Sequence, residues 1–552
     1  MPPRSSLKKQ HAAESRALKA RRQRTVTQVR KDKRRATVQT KRRRLLSADQ
    51  PPGTGRSLTE LVEHLGDTTN ASASKNQARF ETLKEIRALL TAHEKEDEIV
   101  DQIIESGIVP VMVSLLNSAS PLASATRTGG EVYREILWCL TNIASGQYEH
   151  TKLVLPAVPR LLQFLEGSNR SLAEDAAWVL GNIAADCEEF RQQLIANGAV
   201  VTLVKLLRDS TEKELAKTSA WALSNLARGV ETSAKPFVEA GIIPVIMKGG
   251  ARFSEEVVVE IAWLLSFLTA REEEYLKMML ENGLVELLVP YFSTTNEVLL
   301  TPILRVFGNI CCGSPGHGTD MWQMPYIYRL VGADSVVLPK LRDFLQLPQE
   351  TVPKTFLTAE AAWVVSNLAA TEEAVVNMLV QAHFLPLLGQ QFKDGSYEVR
   401  REVAFALTNL ALTSATHMQD ILALDVVKGF LHLLTVADVA VVGNSLRFIE
   451  NVLRSTPRGV SLIEVNDGID ALETVQYKCG DEHLSQWAAM LVNEFYGENY
   501  GTHSPPSAAG VPGSFSAEPL QLSAGAAEPP AAPTGAGGRG RGAHMTTPAW
   551  KK

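Results

Sequence analysis

Trp178-Val-Leu-Gly-Asn182 and Trp221-Ala-Leu-Ser-Asn225 set the plan of this chain: an indole, three residues, then a carboxamide, inside an apolar run. The pattern also appears as Trp138-Cys-Leu-Thr-Asn142 and Trp363-Val-Val-Ser-Asn367. Altered copies follow the same beat at Trp263…Phe267, Arg305…Asn309, Phe405…Asn409 and Arg447…Asn451. Steps between first positions are 40, 43, 42, 42, 58, 42 and 42 residues. Positions i and i+4 share one helix face, so stacked copies would line up two parallel ladders, one aromatic and one amide.

A period of roughly 40 to 47 residues is that of armadillo or HEAT arrays. The fold class expected is therefore all-α, an armadillo-repeat superhelical solenoid of about ten repeats. A second marker, Gly opening an apolar stretch, recurs at Gly107, Gly198, Gly241, Gly283 and Gly468. Such a glycine can end one helix in the left-handed conformation before the next begins. The pattern divides the chain into a basic arm at 1–50, a linker at 51–72 around Pro51-Pro52-Gly53, an array at 73–500 and a tail at 501–552. The long step before Trp363 places an excess of about 16 residues in 314–320 and 322–328, expected as a larger loop or an extra helical turn.

A chain of 552 residues exceeds one ordinary core, whereas a repeat array grows linearly because each unit packs only on its neighbours. The formal charge of −5 hides a division: +14 on residues 1–50, +2 on the tail and −21 on the rest. A basic arm usually suggests nucleic acid or an acidic membrane, but here the acidic body competes for it first. The arm is poor in apolar residues and is expected to be disordered when free. The tail, Ala/Gly/Pro-rich and closing on Gly538-Arg-Gly-Arg-Gly542, is expected to be disordered by composition. No apolar run reaches the roughly 18 residues of a membrane span. The five cysteines show no CxxC spacing and read as buried reduced thiols in a reducing compartment.

An Asn side chain offers both a donor and an acceptor, so a row of them suits the backbone of an extended peptide. Indole faces between them would form slots for Lys or Arg stems, each cation gaining about 0.5–2 kcal/mol. Acids three residues ahead of ladder positions, at Asp175, Glu260, Glu360 and Glu402, would select positive charge. No Ser/His/Asp grouping, phosphate loop or metal spacing is present, so neither catalysis nor a cofactor is expected.

These stretches, with Trp138-Cys-Leu-Thr-Asn-Ile-Ala-Ser-Gly146, Trp178-Val-Leu-Gly-Asn-Ile-Ala-Ala-Asp186 and Leu304-Arg-Val-Phe-Gly-Asn-Ile310, resemble the importin α family over nearly the whole chain. The resemblance implies an adaptor that carries nuclear-localisation signals between cytoplasm and nucleus. It implies a major signal site at Trp138, Asn142, Gly146, Thr151, Trp178, Asn182, Asp186, Trp221, Asn225, Glu256, Glu260 and Trp263. A minor site would use Arg305, Asn309, Glu360, Trp363, Asn367, Glu402 and Asn409. Importin β would bind the arm through Arg21, Arg22, Arg24, Arg30, Lys31, Lys33, Arg34, Arg35, Lys41, Arg42, Arg43 and Arg44. The last cluster would occupy the groove when the arm is free. An export receptor would contact the last repeat, which 486–496 matches loosely. Phe405 replaces the family's usual Trp and Asp175 its usual Gln, and the Thr expected after the Asn309 helix has no clear counterpart. The alternative is an armadillo scaffold for other basic or extended partners outside import.

Overall fold

The computed structural model describes residues 56–66, 73–91, 96–117, 127–229, 232–249, 252–312, 322–347 and 352–497. The arm at 1–50 and the tail lie outside them, as does the segment 314–320. The described residues contain helices and no strand.

Each unit is a short helix, a second helix and a long third helix that carries the ladder, as in Tyr148–Lys152, Val158–Glu166 and Arg170–Asp186. Nine such triplets, preceded by helices Leu58–Gly66 and Ala73–Thr91, make up the array among the described residues. Every long helix from Arg127–Ala144 to Glu482–Tyr496 packs on the long helices of its neighbours, so the ladder positions face one continuous surface. Several open on a side-chain cap: Asn169, Asn296, Ser396, Asp438 and Asp481 each accept from a backbone N–H in the first turn. Leu, Ile, Val and Ala fill the core between the layers, with Phe190, Phe237, Phe292, Phe307, Phe384 and Phe430 wholly buried.

In seven of the nine triplets the junction between the first and second helices holds a left-handed residue. Gly107, Gly198, Gly241 and Gly283 supply it, with φ between 79° and 91°. In later repeats His383, Asp425 and Asp467 take the same conformation at φ 56–62°. The sequence marker at Gly468 is therefore displaced by one: the turn is made by Asp467, and Gly468 is the first residue of helix Gly468–Lys478. Gly468 is small for a different reason, since a Cβ there would press on Ile463.

Two boundaries differ from expectation. The supposed linker at 51–72 contains helix Leu58–Gly66, which buries Leu61 and Leu65 against the next helices. Its start is a reciprocal cap, the Ser57 N–H donating to Glu60 Oε2 at 2.6 Å and the Glu60 N–H to Ser57 Oγ at 3.3 Å. The stretch 322–328 adds no extra turn, because Met324–Val331 is the ordinary first helix of its repeat. The long step instead divides between the region before Trp322 and a longer approach to helix Val352–Leu368. Cys139 and Cys311 are buried as expected, but Cys187, Cys312 and Cys479 are only partly so.

Candidate peptide-binding groove

The amide ladder is built, and it joins the repeats to one another. Asn182 Nδ2 donates to the Thr141 carbonyl at 2.8 Å, and Asn225 Nδ2 to Gly181 O at 3.0 Å. Asn309, Asn367 and Asn409 repeat the bond to Ser266 O, Gly308 O and Ser366 O, at 3.0, 3.0 and 2.8 Å. The acceptor is always the residue just before the ladder position of the preceding repeat. One amide hydrogen thus stitches neighbouring repeats and fixes the plane of the carboxamide; at Asn309 the same Nδ2 also donates to Thr269 Oγ1 at 2.9 Å. At Asn225 the oxygen is also taken, by Arg228 Nη2 at 2.8 Å. Asn409 Oδ1 is buried and has no hydrogen-bond partner among the described residues. The Asn451 rung is out of register: it donates to Ala411 O, while Asn444 reaches Thr408 Oγ1.

The aromatic ladder is uneven. Trp138 and Trp178 are half-buried, whereas Trp221, Trp263 and Trp363 are 2%, 8% and 3% exposed. Sterics explain the depth of two of them. A methyl on Gly181 would overlap the six-membered ring of Trp221, and one on Gly308 that of Trp363. The glycine before the Asn lets the next repeat's indole sink onto the helix. Trp178 and Trp221 meet tilted, with centroids 5.7 Å apart.

At Trp263 the slot is filled from within. Arg305, standing in the aromatic column, lies over that indole at 5.6 Å. Its Nη2 donates to Glu360 Oε1 at 2.7 Å, in a pair whose two members are both buried. Trp263, Arg305 and Glu360 were expected to face cargo; they are occupied with one another and separate the Trp138–Trp221 run from the Trp363 half.

The acids three residues ahead of the ladder are buried at Asp175, Glu260, Glu360 and Glu402. Glu135, at the same spacing ahead of Trp138, belongs with them and escaped the sequence reading although the spacing alone would have found it. Burial pushes its carboxyl above the usual range, against the pull of Arg87, which pairs with it at 3.2 Å and lies 5.9 Å from the Trp138 ring. Asp175 pairs with Arg134 at 3.2 Å, and Glu402 with Arg401, which also reaches Asp438. Glu256 is half-exposed and held by Lys213 at 2.7 Å, a bond that lowers its pKa and raises that of the lysine.

One acid differs. Asp186, half-buried at the end of helix Arg170–Asp186, accepts from Thr151 Oγ1 at 2.7 Å. That neutral donor orients the carboxylate and leaves its charge in place. Beside Thr151 lies Gly146, where a Cβ would overlap His150 Nδ1. The His150 ring is fixed: Nδ1 accepts from the Gln147 N–H at 3.3 Å, so Nε2 carries the proton donated to Asp101 Oδ1 at 2.8 Å. Gly146, Thr151 and Asp186 are thus brought to one place across two repeats.

Among the described residues no helix is long and apolar enough to cross a membrane, and no group of three or more His, Cys, Asp or Glu could hold a metal ion. Residues 150–185 and 187–228 match the Armadillo/beta-catenin-like repeat family. Importin subunit alpha-9 of Arabidopsis thaliana is 30% identical over 440 residues, covering 77% of this chain and 81% of that protein. The chain belongs to the importin α family. Importin subunit alpha-2 of Oryza sativa subsp. japonica is 29% identical over 447 residues, covering 77% of this chain and 79% of the relative. A crystal structure of an engineered protein superposes with a TM-score of 0.63 at 25% identity, over 79% of this chain and 98% of that one. As an importin α with armadillo repeats, the chain is a transport protein and not an enzyme.

Proposed function

We propose that the chain is a nuclear import adaptor that grips Lys/Arg-rich localisation signals in the groove at Trp138, Trp178 and Trp221 and engages importin β through residues 1–50. The observation that carries this is the Thr151–Asp186 bond beside Gly146: an oriented carboxylate, a glycine floor and two half-buried indoles make a socket for one ammonium group and its alkyl stem. The major site comprises Trp138, Asn142, Gly146, Thr151, Trp178, Asn182, Asp186, Trp221 and Asn225, with Glu256 at its edge. The minor half keeps Trp363 and Asn367 but has Phe405 and an Asn409 rung, and its acids are tied into internal ion pairs. It binds more weakly. The arm at 1–50 competes for the groove until importin β removes it; an export receptor engages the last repeat.

The test is a titration of a fluorescent Lys/Arg-rich peptide against the chain and Asp186→Lys. A charge-assisted bond contributes about 1.5–3 kcal/mol, so the variant loses at least about tenfold in affinity while its melting curve is unchanged. Equal affinity in a folded variant removes Asp186 from the site. A pull-down of importin β with and without residues 1–50 tests the arm.

A further inference from the structure

A third column runs beside the Trp and Asn ladders, one helical turn ahead of the aromatic position. It reads Arg134, Glu174, Lys217, Val259, Thr301, Ala359 and Arg401. Because i−4, i and i+4 share a helix face, this column flanks the groove along its length. Over the first three repeats it carries plus, minus, plus; over the next three it is uncharged.

Arg134 is the informative member. Its Nε donates to Asp175 Oδ2 at 3.2 Å, while its two terminal nitrogens make no hydrogen bond to the described residues. Its side chain keeps 51% of its exposure against 10% for the aspartate. Arg401, in the same column, is by contrast only 12% exposed and divided between Glu402 and Asp438. The buried Asp175 therefore acts as a tether that orients the Arg134 guanidinium without covering its terminal fork. That fork matches a carboxylate or a phosphate bidentately. Lys217 stands in the same column two repeats on, 31% exposed and only loosely held by Glu214 at 3.6 Å.

We propose that Arg134 and Lys217 are specificity-determining residues of the groove, each selecting a carboxylate or phosphate on the bound peptide at one flank of its basic run. This rests on the groove being a peptide site. Packed helices lie about 8–10 Å apart and an extended chain advances about 3.3 Å per residue, so adjacent rungs stand roughly two to three residues apart. Arg134 and Lys217, two rungs apart, then bracket a stretch of about four to six residues with Glu174 and Asp186 between them. A uniformly basic peptide meets repulsion at both ends of that stretch. A basic core bordered by Asp, Glu or phosphoserine does not.

The experiment measures fluorescence anisotropy of labelled peptides against the full chain. Each peptide has one run of basic residues, with Ala, Lys, Asp or phosphoserine at successive flanking places. An exposed oriented pair amounts to about a fivefold change in affinity. An acidic flank should bind about fivefold tighter than Lys at one place on each side. Arg134→Gln should reverse the preference to Lys on one flank only, and Lys217→Gln on the other only. Arg134→Gln/Asp175→Asn is run alongside, since the single change removes the Arg134 bond from the buried Asp175; it should show the same reversal with a normal melting curve. If phosphoserine tightens binding and Asp does not, the groove reads phosphate; if both do, a carboxylate suffices. Tight binding with Lys preferred at every place, or flank preferences unaltered by the substitutions, overturns the proposal alone. Failure of every basic peptide to bind overturns it together with the groove reading.

Discussion

Gly181→Ala isolates the device that seats the aromatic ladder. In a helix interior Ala is about 0.8–1.0 kcal/mol better than Gly, so without a steric neighbour the change would stabilise the chain. Here the added methyl overlaps the ring of Trp221, which is 2% exposed and has no room to withdraw. Over-packing of this kind costs about 1–3 kcal/mol, and the expected net effect is a loss of up to about 2 kcal/mol. Removing the ring should reverse the sign: in a Trp221→Leu background, Gly181→Ala should be neutral or stabilising by up to about 1 kcal/mol. Urea denaturation followed by circular dichroism on the four proteins gives the coupling, expected at about 1–3 kcal/mol. Hydrogen exchange should localise it to helix Lys213–Leu226. If Gly181→Ala is equally destabilising with and without the indole, the ring is not why the glycine is there.

Arg305→Gln should destabilise the chain by about 3–5 kcal/mol, because it breaks the buried ion pair with Glu360; Arg305→Met/Glu360→Leu should recover most of that loss in the same denaturation assay. Glu188 and Glu272 both titrate below the ordinary 4.5, as hydrogen bonds from Gln192 and Arg191 at one and Ser233 and Ala234 at the other outweigh the upward push of burial. A lowered folded pKa adds stability above the unfolded value and forfeits it as pH falls through the folded one. The melting temperature should therefore drop on acidification below about 4.5, and Glu188→Gln/Glu272→Gln should flatten that drop. Arg454, which bonds Glu494 twice and Glu450 once and lies over Phe495, clasps the last repeat; Arg454→Met should speed amide exchange in helix Glu482–Tyr496 and leave helix Arg170–Asp186 unchanged.

The repeat, the two ladders and most glycine turns were legible because each is a local pattern repeated at fixed spacing. The same holds for Glu135, whose position three ahead of Trp138 matched its siblings. Helix Leu58–Gly66 carried its own signature in Ser57-Leu-Thr-Glu60, masked by the neighbouring Pro51-Pro52-Gly53. Other features had no local trace. The depth of Trp221 and Trp363 depends on the glycine before the Asn one repeat away, and that of Trp263 on Arg305. The pairing of Asp175 with Arg134, or Glu360 with Arg305, joins residues 41 and 55 positions apart. A row of acids in sequence thus reads as a negative surface, and only the packed helices reveal the cations already seated on it. The left-handed His383, Asp425 and Asp467 escaped for a related reason: the turn is imposed by the junction, and these residues tolerate it without announcing it.

The bond from five ladder residues, Asn182, Asn225, Asn309, Asn367 and Asn409, to a carbonyl of the repeat before makes the proposed gripping surface and the mortar the same set of atoms. A ligand that tugs on one carboxamide tugs on the seam between two repeats. The array then behaves less like a rack of independent hooks than like a spring whose coils are joined along the side that holds the load. On the proposed reading, filling the groove should stiffen that side, and emptying it should restore the play between coils.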